Sequence, residues 1–232
     1  MRVDKFLSAN GFGTRKEVKK IIKAQRVSVN QAVIKNSSYQ LPIKAIIQVD
    51  GKIIERRDKI YLMMNKPAGY VCTNDDVNPS VLTLITAYYR KDLFCVGRLD
   101  KDTTGLLLIT NDGSWAHKII KPNKNIIKVY KALITNKITA QDVELFANGV
   151  IIDTDYKCKP AKLSLLETYA DTSLVEVVIT EGKHHQVKKM IRAINQEVLA
   201  LTRVQIGNLE LDLSLELRAY RLLTADELQT IF

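Results

Sequence analysis

Two carboxylates, two hydroxyls and two glycines crowd the stretch Gly97-Arg98-Leu99-Asp100-Lys101-Asp102-Thr103-Thr104-Gly105, just ahead of the apolar run Leu106-Leu107-Leu108-Ile109. That run reads as a short buried strand, closed by the turn pair Asp112-Gly113. A loop feeding a buried strand holds its side chains firmly, which suits a group that does chemistry. Asp100 lies between Arg98 and Lys101, and flanking cations favour the charged form of a carboxylate. An ionised carboxylate held this way can act as nucleophile or as base. A surface turn with compensating charges has the same spacing, and periodicity does not choose between the two. A two-carboxylate glycosidase is a rival chemistry, but Asp102 sits only two positions from Asp100 and no clear second acid in a matching context accompanies them.

Two further segments carry groups of this kind. Lys128 to Ile134 alternates Val129, Lys131 and Leu133 against Tyr130, Ala132 and Ile134, as a strand with two distinct faces does. On that pattern alone Tyr130 is a half-buried strand aromatic. Leu174 to Thr180 reads as another strand, and Glu181-Gly182 turns into a helix opening at His184-His185 and running through Arg192. Val187, Met190, Ile191 and Ile194 share its core face, while Lys188 and Arg192 share another face one turn apart. The two histidines do not read as a metal site. Adjacent helical residues point about 100° apart, the chain has only one other His, and no Cys is near.

Gly97-Arg98-Leu99-Asp100, followed by Thr103, Gly105-Leu106-Leu107 and Thr110-Asn111-Asp112-Gly113, resembles the catalytic motif of the pseudouridine synthases of the RsuA type. The resemblance implies that Asp100 is the catalytic aspartate. Gly97, where the related RluA group usually has His, favours the RsuA side. Lys128-Val129-Tyr130 resembles the family's Lys-x-Tyr motif, which implies that Tyr130 stacks on the target base. Glu181 to Lys188 resembles Glu-Gly-Lys/Arg-x-His-Gln-Val-Lys/Arg, which makes Lys188 the cation paired with the aspartate, His185 the motif histidine and His184 peripheral. Leu201-Thr202-Arg203-Val204-Gln205-Ile206-Gly207 resembles the closing motif. It implies that Leu201 is an apolar wall of the base pocket and Arg203 a phosphate or structural contact. Arg98 is implied as support for the flipped backbone. Asn65-Lys66-Pro67-Ala68-Gly69 resembles the family's Asn-Lys-Pro-x-Gly loop, packed near the catalytic loop, with Lys66 structural or an RNA contact. Arg218 stands where the family usually has Gly, a residue that supplies positive φ, so the local turn is expected to differ.

The elements that must position these groups follow from bulk properties and patterning. A chain of 232 residues, 46% hydrophobic and 26% charged, has room for one large domain or two unequal ones. No apolar run approaches the ~20 residues of a membrane span, and the start has no secretory pattern. Cys72, Cys95 and Cys158 are widely spaced and odd in number, so they read as reduced, mostly packed thiols in a cytoplasmic protein. Net charge is unevenly spread: residues 1–59 hold 14 Lys or Arg against 5 Asp or Glu, whereas residues 60–232 hold 21 against 20. A basic module joined to a nearly neutral one suggests polyanion binding separated from chemistry.

Within the basic module, Val3, Phe6 and Leu7 predict a first helix, stopped at Gly11-Phe12-Gly13. Thr14-Arg15-Lys16-Glu17 has the form of a capping box, opening a helix with Val18, Ile21 and Ile22 on one face. Arg15, Lys16, Lys19, Lys20 and Lys23 lie on and around the other, where they can track phosphates. Short strands follow at Val27–Val33 and Ile46–Val49, and Glu55-Arg56-Arg57-Asp58-Lys59 reads as a linker. Arg2 to Leu7, Thr14-Arg15 and Arg26 to Asn30 resemble the S4-type RNA-binding domain. Residues 137–168 read as a helix, a turn at Gly149 and a strand running into irregular structure. Trp115 reads as a core anchor, and Thr224 to Glu227 as a final capping box.

The resemblances imply an α+β fold. A small S4-like RNA-binding domain (1–59) precedes a larger pseudouridine synthase catalytic domain (60–232), built on a mixed, mostly antiparallel sheet flanked by helices. They imply isomerisation of a uridine in ribosomal RNA by base flipping, C1′–N1 cleavage and C1′–C5 rejoining. The reaction needs no redox change and no group transfer, in line with a sequence lacking a dinucleotide fingerprint, a phosphate-cradling loop and a Cys/His cluster. No cofactor and no metal is expected, and the partner is ribosomal RNA met by a monomer, with no membrane. Asn65 to Cys72 and the Trp115 segment lean towards the small-subunit (16S) branch. The large-subunit branch is the alternative, and a non-catalytic RNA-binding or assembly factor is the reading from another class.

Overall fold

A computed structural model describes residues 1–42, 45–54, 59–74, 79–88 and 93–232, and its internal contacts divide the chain into Met1–Lys59 and Ile60–Phe232. Residues 55–58 of the expected linker lie outside the described residues.

In the first unit, α1 (Val3–Ala9) buries Val3, Phe6 and Leu7. The helix α2 (Arg15–Lys23) opens on a complete capping box. The Glu17 amide donates to Thr14 Oγ1 at 3.3 Å, and the Thr14 amide donates to the Glu17 carboxylate at 2.7 Å. Two amides that helix geometry leaves without partners are thereby satisfied. Val18 and Ile22 are buried, whereas Arg15, Lys16, Lys19, Lys20 and Lys23 are all exposed. The apolar faces of both helices join a core with the antiparallel strands β1 (Val27–Val29), β2 (Ala32–Val33), β3 (Ile47–Val49) and β4 (Lys52–Ile53), ordered β2-β1-β3-β4.

The second unit is organised by one sheet. Its chain order is β5 (Tyr61–Lys66), β6 (Phe94–Cys95), β7 (Thr104–Thr110), α3 (Gly113–Ile120), β8 (Lys128–Thr135), α4 (Ala140–Asn148), β9 (Ile151–Ile152), β10 (Tyr156–Lys157), β11 (Lys162–Thr168), β12 (Thr172–Ile179), α5 (Gln186–Ala193), β13 (Val198–Ile206), β14 (Leu209–Glu210), β15 (Tyr220–Leu222) and α6 (Ala225–Thr230). Among the described residues the sheet has nine strands. Seven run in the order β11-β12-β8-β13-β7-β5-β15, with β14 against β13 and β6 against β7. Every pairing is antiparallel except β7 with β13. The small pair β9–β10 stands apart.

The apolar run of β7 is longer than its four core residues suggest, because Thr104, Gly105 and Thr110 also pair. Leu107 and Ile109 face a core shared with Phe146 of α4 and with Met190 and Ile191 of α5. Leu106 and Leu108 face a second core shared with Trp115 of α3 and with Ile231. Both faces of the strand are covered, which is why its sequence is continuously apolar. The irregular structure expected up to residue 168 is instead strand β11, held by its ladder with β12 despite its exposed face. Arg218, where a different turn was expected, keeps the positive φ that Gly usually supplies, at +77°. Its amide bonds the Asn65 carbonyl at 2.9 Å and its guanidinium bonds the Tyr70 hydroxyl at 2.8 Å, contacts that oppose the backbone strain. No helix among the described residues is long and apolar enough to cross a membrane.

The parallel contact of β7 with β13 depends on Gly105. Its φ is +97°, and a Cβ there would sit 2.2 Å from the Arg203 carbonyl oxygen. The two backbones meet too closely for any side chain. Substituting Gly105→Ala combines a forbidden torsion with overpacking, each costing about 1–3 kcal/mol. The expected outcome is a fall in unfolding free energy of at least about 2 kcal/mol, measured by urea titration monitored by circular dichroism.

Candidate active site

A single register row crosses the middle of the sheet. Lys66 of β5 pairs with Gly105 of β7, Gly105 with Arg203 of β13, and Arg203 with Tyr130 of β8. Residues directly opposed on neighbouring strands share a face, so this row brings together four residues far apart in sequence. The loop 96–103 leads into β7 beside it and carries Arg98, Asp100 and Asp102. The turn into α5 supplies His185 and Lys188.

Lys66 ends β5 and is fully buried, with 0% of its surface exposed. Its ammonium donates to four backbone carbonyls: Pro67 at 3.1 Å, Asp100 at 3.0 Å, Lys101 at 3.3 Å and Thr103 at 2.8 Å. Burial lowers the Lys66 pKa, opposed by nearby acidic groups including Cys72, Asp102 and Asp100. Of its two expected roles, structural or RNA contact, burial leaves only the structural one. The segment after it is tied to the same loop by the Gly69 amide, which donates to the Lys101 carbonyl at 2.8 Å.

Asp100 is thus clamped through its backbone while its side chain is partly open, at 25% exposure. Lys188 Nζ lies 3.7 Å from Asp100 Oδ2, and His185 Nε2 lies 3.5 Å from Oδ1. Lys188 makes its shorter contact with Asp102, at 2.5 Å, and that ammonium lowers the Asp102 pKa. One cation therefore serves two carboxylates of the same loop. The helix expected to open at His184 starts two residues later. His185 is its N-cap in left-handed conformation, φ +55°. The rings of His184 and His185 stack 3.8 Å apart instead of diverging as on a helix. Val187, Met190 and Ile191 are buried as their spacing predicts, which leaves Lys188 facing the cleft.

The cleft has a volume of about 500 Å³, and Arg98, Asp100, Tyr130, Lys188, Leu201 and Arg203 all line it. Tyr130 and Leu201 are buried, 8% and 6% exposed, and contribute to the same core. Arg98 is exposed. Arg203 is buried and donates a hydrogen bond from Nε to the Leu106 carbonyl at 2.9 Å, so it braces β7 from the wall of the cleft. The basic residues of α2 belong to the other unit and do not line this cleft.

Three residues that the motifs contain without a role assigned to them take part in the site. Glu181 is buried and accepts hydrogen bonds from Gln186 Nε2 at 2.7 Å, the Lys159 amide at 3.0 Å and the Tyr156 hydroxyl at 2.8 Å, fixing the turn that presents His185 and Lys188. Lys128 lines the cleft with its pKa pushed down to about 8, by burial first and then by Arg203. Asp102 is the third, as the second holder of Lys188. The acidic partner Asp112, in the back half of the same motif, does fold work. Its carboxylate caps α3, accepting from the Ser114 and Trp115 amides at 3.0 and 3.3 Å, and receives the Tyr61 hydroxyl at 2.9 Å. No group of three His, Cys, Asp or Glu side chains poised for a metal occurs among the described residues.

A mixed sheet presents one clamped aspartate, a lysine and a tyrosine in a cation-lined cleft, and the chain's other unit carries an exposed basic helix, an arrangement that suits an enzyme acting on a polyanion. Comparison with known proteins states the class. The profile of the RNA pseudouridylate synthase family matches residues 60–193, and that of the S4 domain matches residues 1–47. The chain is 39% identical to an uncharacterized RNA pseudouridine synthase, YtzG, of Bacillus subtilis, covering 100% of this chain and 98% of the relative. It is 35% identical to the ribosomal small subunit pseudouridine synthase A of Escherichia coli, with 100% of both chains covered. A crystal structure of a pseudouridylate synthase superposes with a TM-score of 0.72 at 35% identity, again over 100% of both chains. The chain belongs to the RNA pseudouridine synthase family, in the group that joins an S4 domain to the synthase domain.

Replacing Lys66 by Met keeps the apolar stem but leaves four carbonyls, three of them in the Asp100 loop, short of a donor. Loop displacement of about 1 Å costs on the order of 100-fold in rate, so kcat should fall by that order. RNA affinity should stay within about twofold, because a buried group cannot touch RNA. Steady-state kinetics with filter binding of the RNA separates the two effects.

Proposed function

We propose that this protein converts a specific uridine of ribosomal RNA to pseudouridine, in the small-subunit (16S) RNA, with Asp100 as the catalytic carboxylate. The observation that carries the reading is the convergence of Asp100, Tyr130, Lys188 and Leu201, from a loop, two strands and a helix, on one cleft of about 500 Å³. The small-subunit target is supported by full-length similarity to enzymes of that name.

In this reading the nucleotide swings out of its stack, at a cost of a few kcal/mol, and enters the cleft. Tyr130 stacks on the base and Leu201 walls its other side. Asp100 acts at the ribose, as nucleophile on C1′ or as base on the 2′ proton, while C1′–N1 breaks and C1′–C5 forms. Lys188 keeps the carboxylate charged and oriented, and Arg98, exposed at the rim, supports the displaced backbone. Seven Lys or Arg side chains line the cleft against two carboxylates, Asp100 and Glu181, a balance that favours phosphates at its mouth. Arg15, Lys16, Lys19, Lys20 and Lys23 hold flanking RNA through phosphate and shape contacts. Residues 1–59 thus bind while residues 60–232 catalyse, in a cytoplasmic enzyme acting as a monomer.

The substitution Asp100→Asn should lower pseudouridine formation at least about 1000-fold while RNA binding and melting temperature hold. Chemical mapping of pseudouridine in rRNA from a strain lacking the gene, complemented with each form, checks this. A modified site that returns with the Asn form would overturn the assignment of Asp100. A site restored in large-subunit RNA would redirect the target and leave the chemistry standing.

A further inference from the structure

One buried side chain in the wall of the cleft carries a donor group that the fold does not use. Arg203 is 3% exposed. Its Nε donates to the Leu106 carbonyl at 2.9 Å, but Nη2 is buried without a hydrogen-bond partner. No salt bridge joins it to a carboxylate among the described residues. Glu181, the buried acid of the same cleft, is occupied by Gln186, Lys159 and Tyr156. A guanidinium stripped of water is costly unless its charge and its N–H groups are met by acceptors. A buried donor left over in a cleft wall therefore calls for a ligand that brings the acceptor.

The position of Arg203 says which part of an RNA brings it. Arg203 pairs directly with Tyr130 across β13 and β8, and Leu201, two residues earlier on β13, shares its face. All three are buried and line the cleft. Four other cations of the cleft, Arg98, Lys121, Lys159 and Lys183, are exposed. Phosphates carry full charge and keep to the wet rim, where those four stand. What reaches the level of Tyr130 and Leu201 is the flat base. A uracil offers two acceptors there, the O2 and O4 carbonyl oxygens in the plane of its ring.

We propose that Arg203 is a catalytic residue of this site: its guanidinium donates to a carbonyl oxygen of the extruded uracil and holds the negative charge that the base carries when C1′–N1 breaks. The inference rests on the pseudouridine synthase reading and adds to it the group that binds the departing base. Whether Asp100 attacks C1′ or takes the 2′ proton, the electron pair of C1′–N1 leaves with the ring. Resonance spreads that charge from N1 onto C5, O2 and O4. Turning the ring about the line through N3 and C6 exchanges N1 with C5 and, in the same motion, O2 with O4. A fixed donor thus holds one carbonyl before the turn and the other after it. C5 then bonds to C1′, and Asp100 is restored by leaving C1′ or by returning the 2′ proton. The C5 proton departs and N1 takes one, so the isomer forms with no atom gained or lost. A preorganised donor facing developing charge, shielded from water, contributes about 100- to 1000-fold in rate.

The test uses the full chain and an RNA fragment spanning the mapped uridine, made with oxygen or with sulfur at position 2 or position 4 of that base. Single-turnover rates of pseudouridine formation are compared between wild type and Arg203→Gln, which removes the charge and the planar fork of donors. The variant should turn over the oxygen substrate at least about 100-fold more slowly, with RNA binding and the melting transition unchanged. The deciding readout is the sulfur-to-oxygen rate ratio, because the intrinsic effect of sulfur is common to both enzymes and cancels. At one of the two positions that ratio should differ at least about fivefold between wild type and variant. Equal ratios at both positions, which a merely structural arginine gives, would overturn the contact with the base. Arg203→Lys, a cation without the planar fork, carries the same comparison should the Gln form not fold, and its ratio should also depart from that of wild type. A wild-type protein that forms no pseudouridine in this RNA or in the complemented strain would overturn the synthase reading and this role with it. Activity with equal ratios would overturn the role alone.

Discussion

A buried ammonium holding a loop by its backbone is the interaction on which the rest of this structure depends. Lys66 reaches four carbonyls, three of them in the stretch 100–103, and is sealed from water. A charge taken out of water is costly unless it is richly hydrogen-bonded. The arrangement is therefore sharply defined: the ammonium keeps its charge only while those carbonyls stay around it, and the loop keeps its shape only while the ammonium is there. The Asp100 side chain is left free for other contacts because its backbone does the anchoring.

The same separation of duties recurs around the cleft. Glu181 accepts three donors and holds the turn, so His185 and Lys188 project towards Asp100 without supporting the fold. Asp112 caps α3 and binds Tyr61, leaving Asp100 and Asp102 as the acids beside the lysine. Arg203 is bound to β7 through its Nε, and its strand meets that of Gly105 at a distance no side chain permits. Rigid supports behind a few open groups are what precise chemistry requires, because small displacements of reacting atoms are expensive.

Lys188 shows how finely the charges are divided. It is nearer to Asp102 than to Asp100, and His185 approaches Asp100 from the other oxygen. The carboxylate pair is held by one lysine, with a histidine ring beside it. Such sharing tempers the pull of any single cation on Asp100. In the other unit the cations of α2 stand on an exposed face.

Local patterning determined a good deal of this protein. The capping boxes at Thr14 and Thr224, the alternating strand at Tyr130, the buried run after Gly105 and the core face of α5 all follow from contacts within a few residues, and the structure has each of them. The concentration of positive charge in residues 1–59 was equally legible, because charge is counted without knowing the fold. Motif resemblance supplied the family, which the comparisons show. What tertiary structure alone decided is where side chains from distant segments end up. Nothing near Lys66 in sequence says that its ammonium meets carbonyls 34 to 37 residues away. Nor does the turn at Arg218 reveal that a side chain can occupy a positive-φ position, since the contacts that oppose its strain come from Asn65 and Tyr70. Burial, and with it the lowered pKa of Lys66 and Lys128, is a property of the assembled core. It appears only once the sheet has brought those residues to one face.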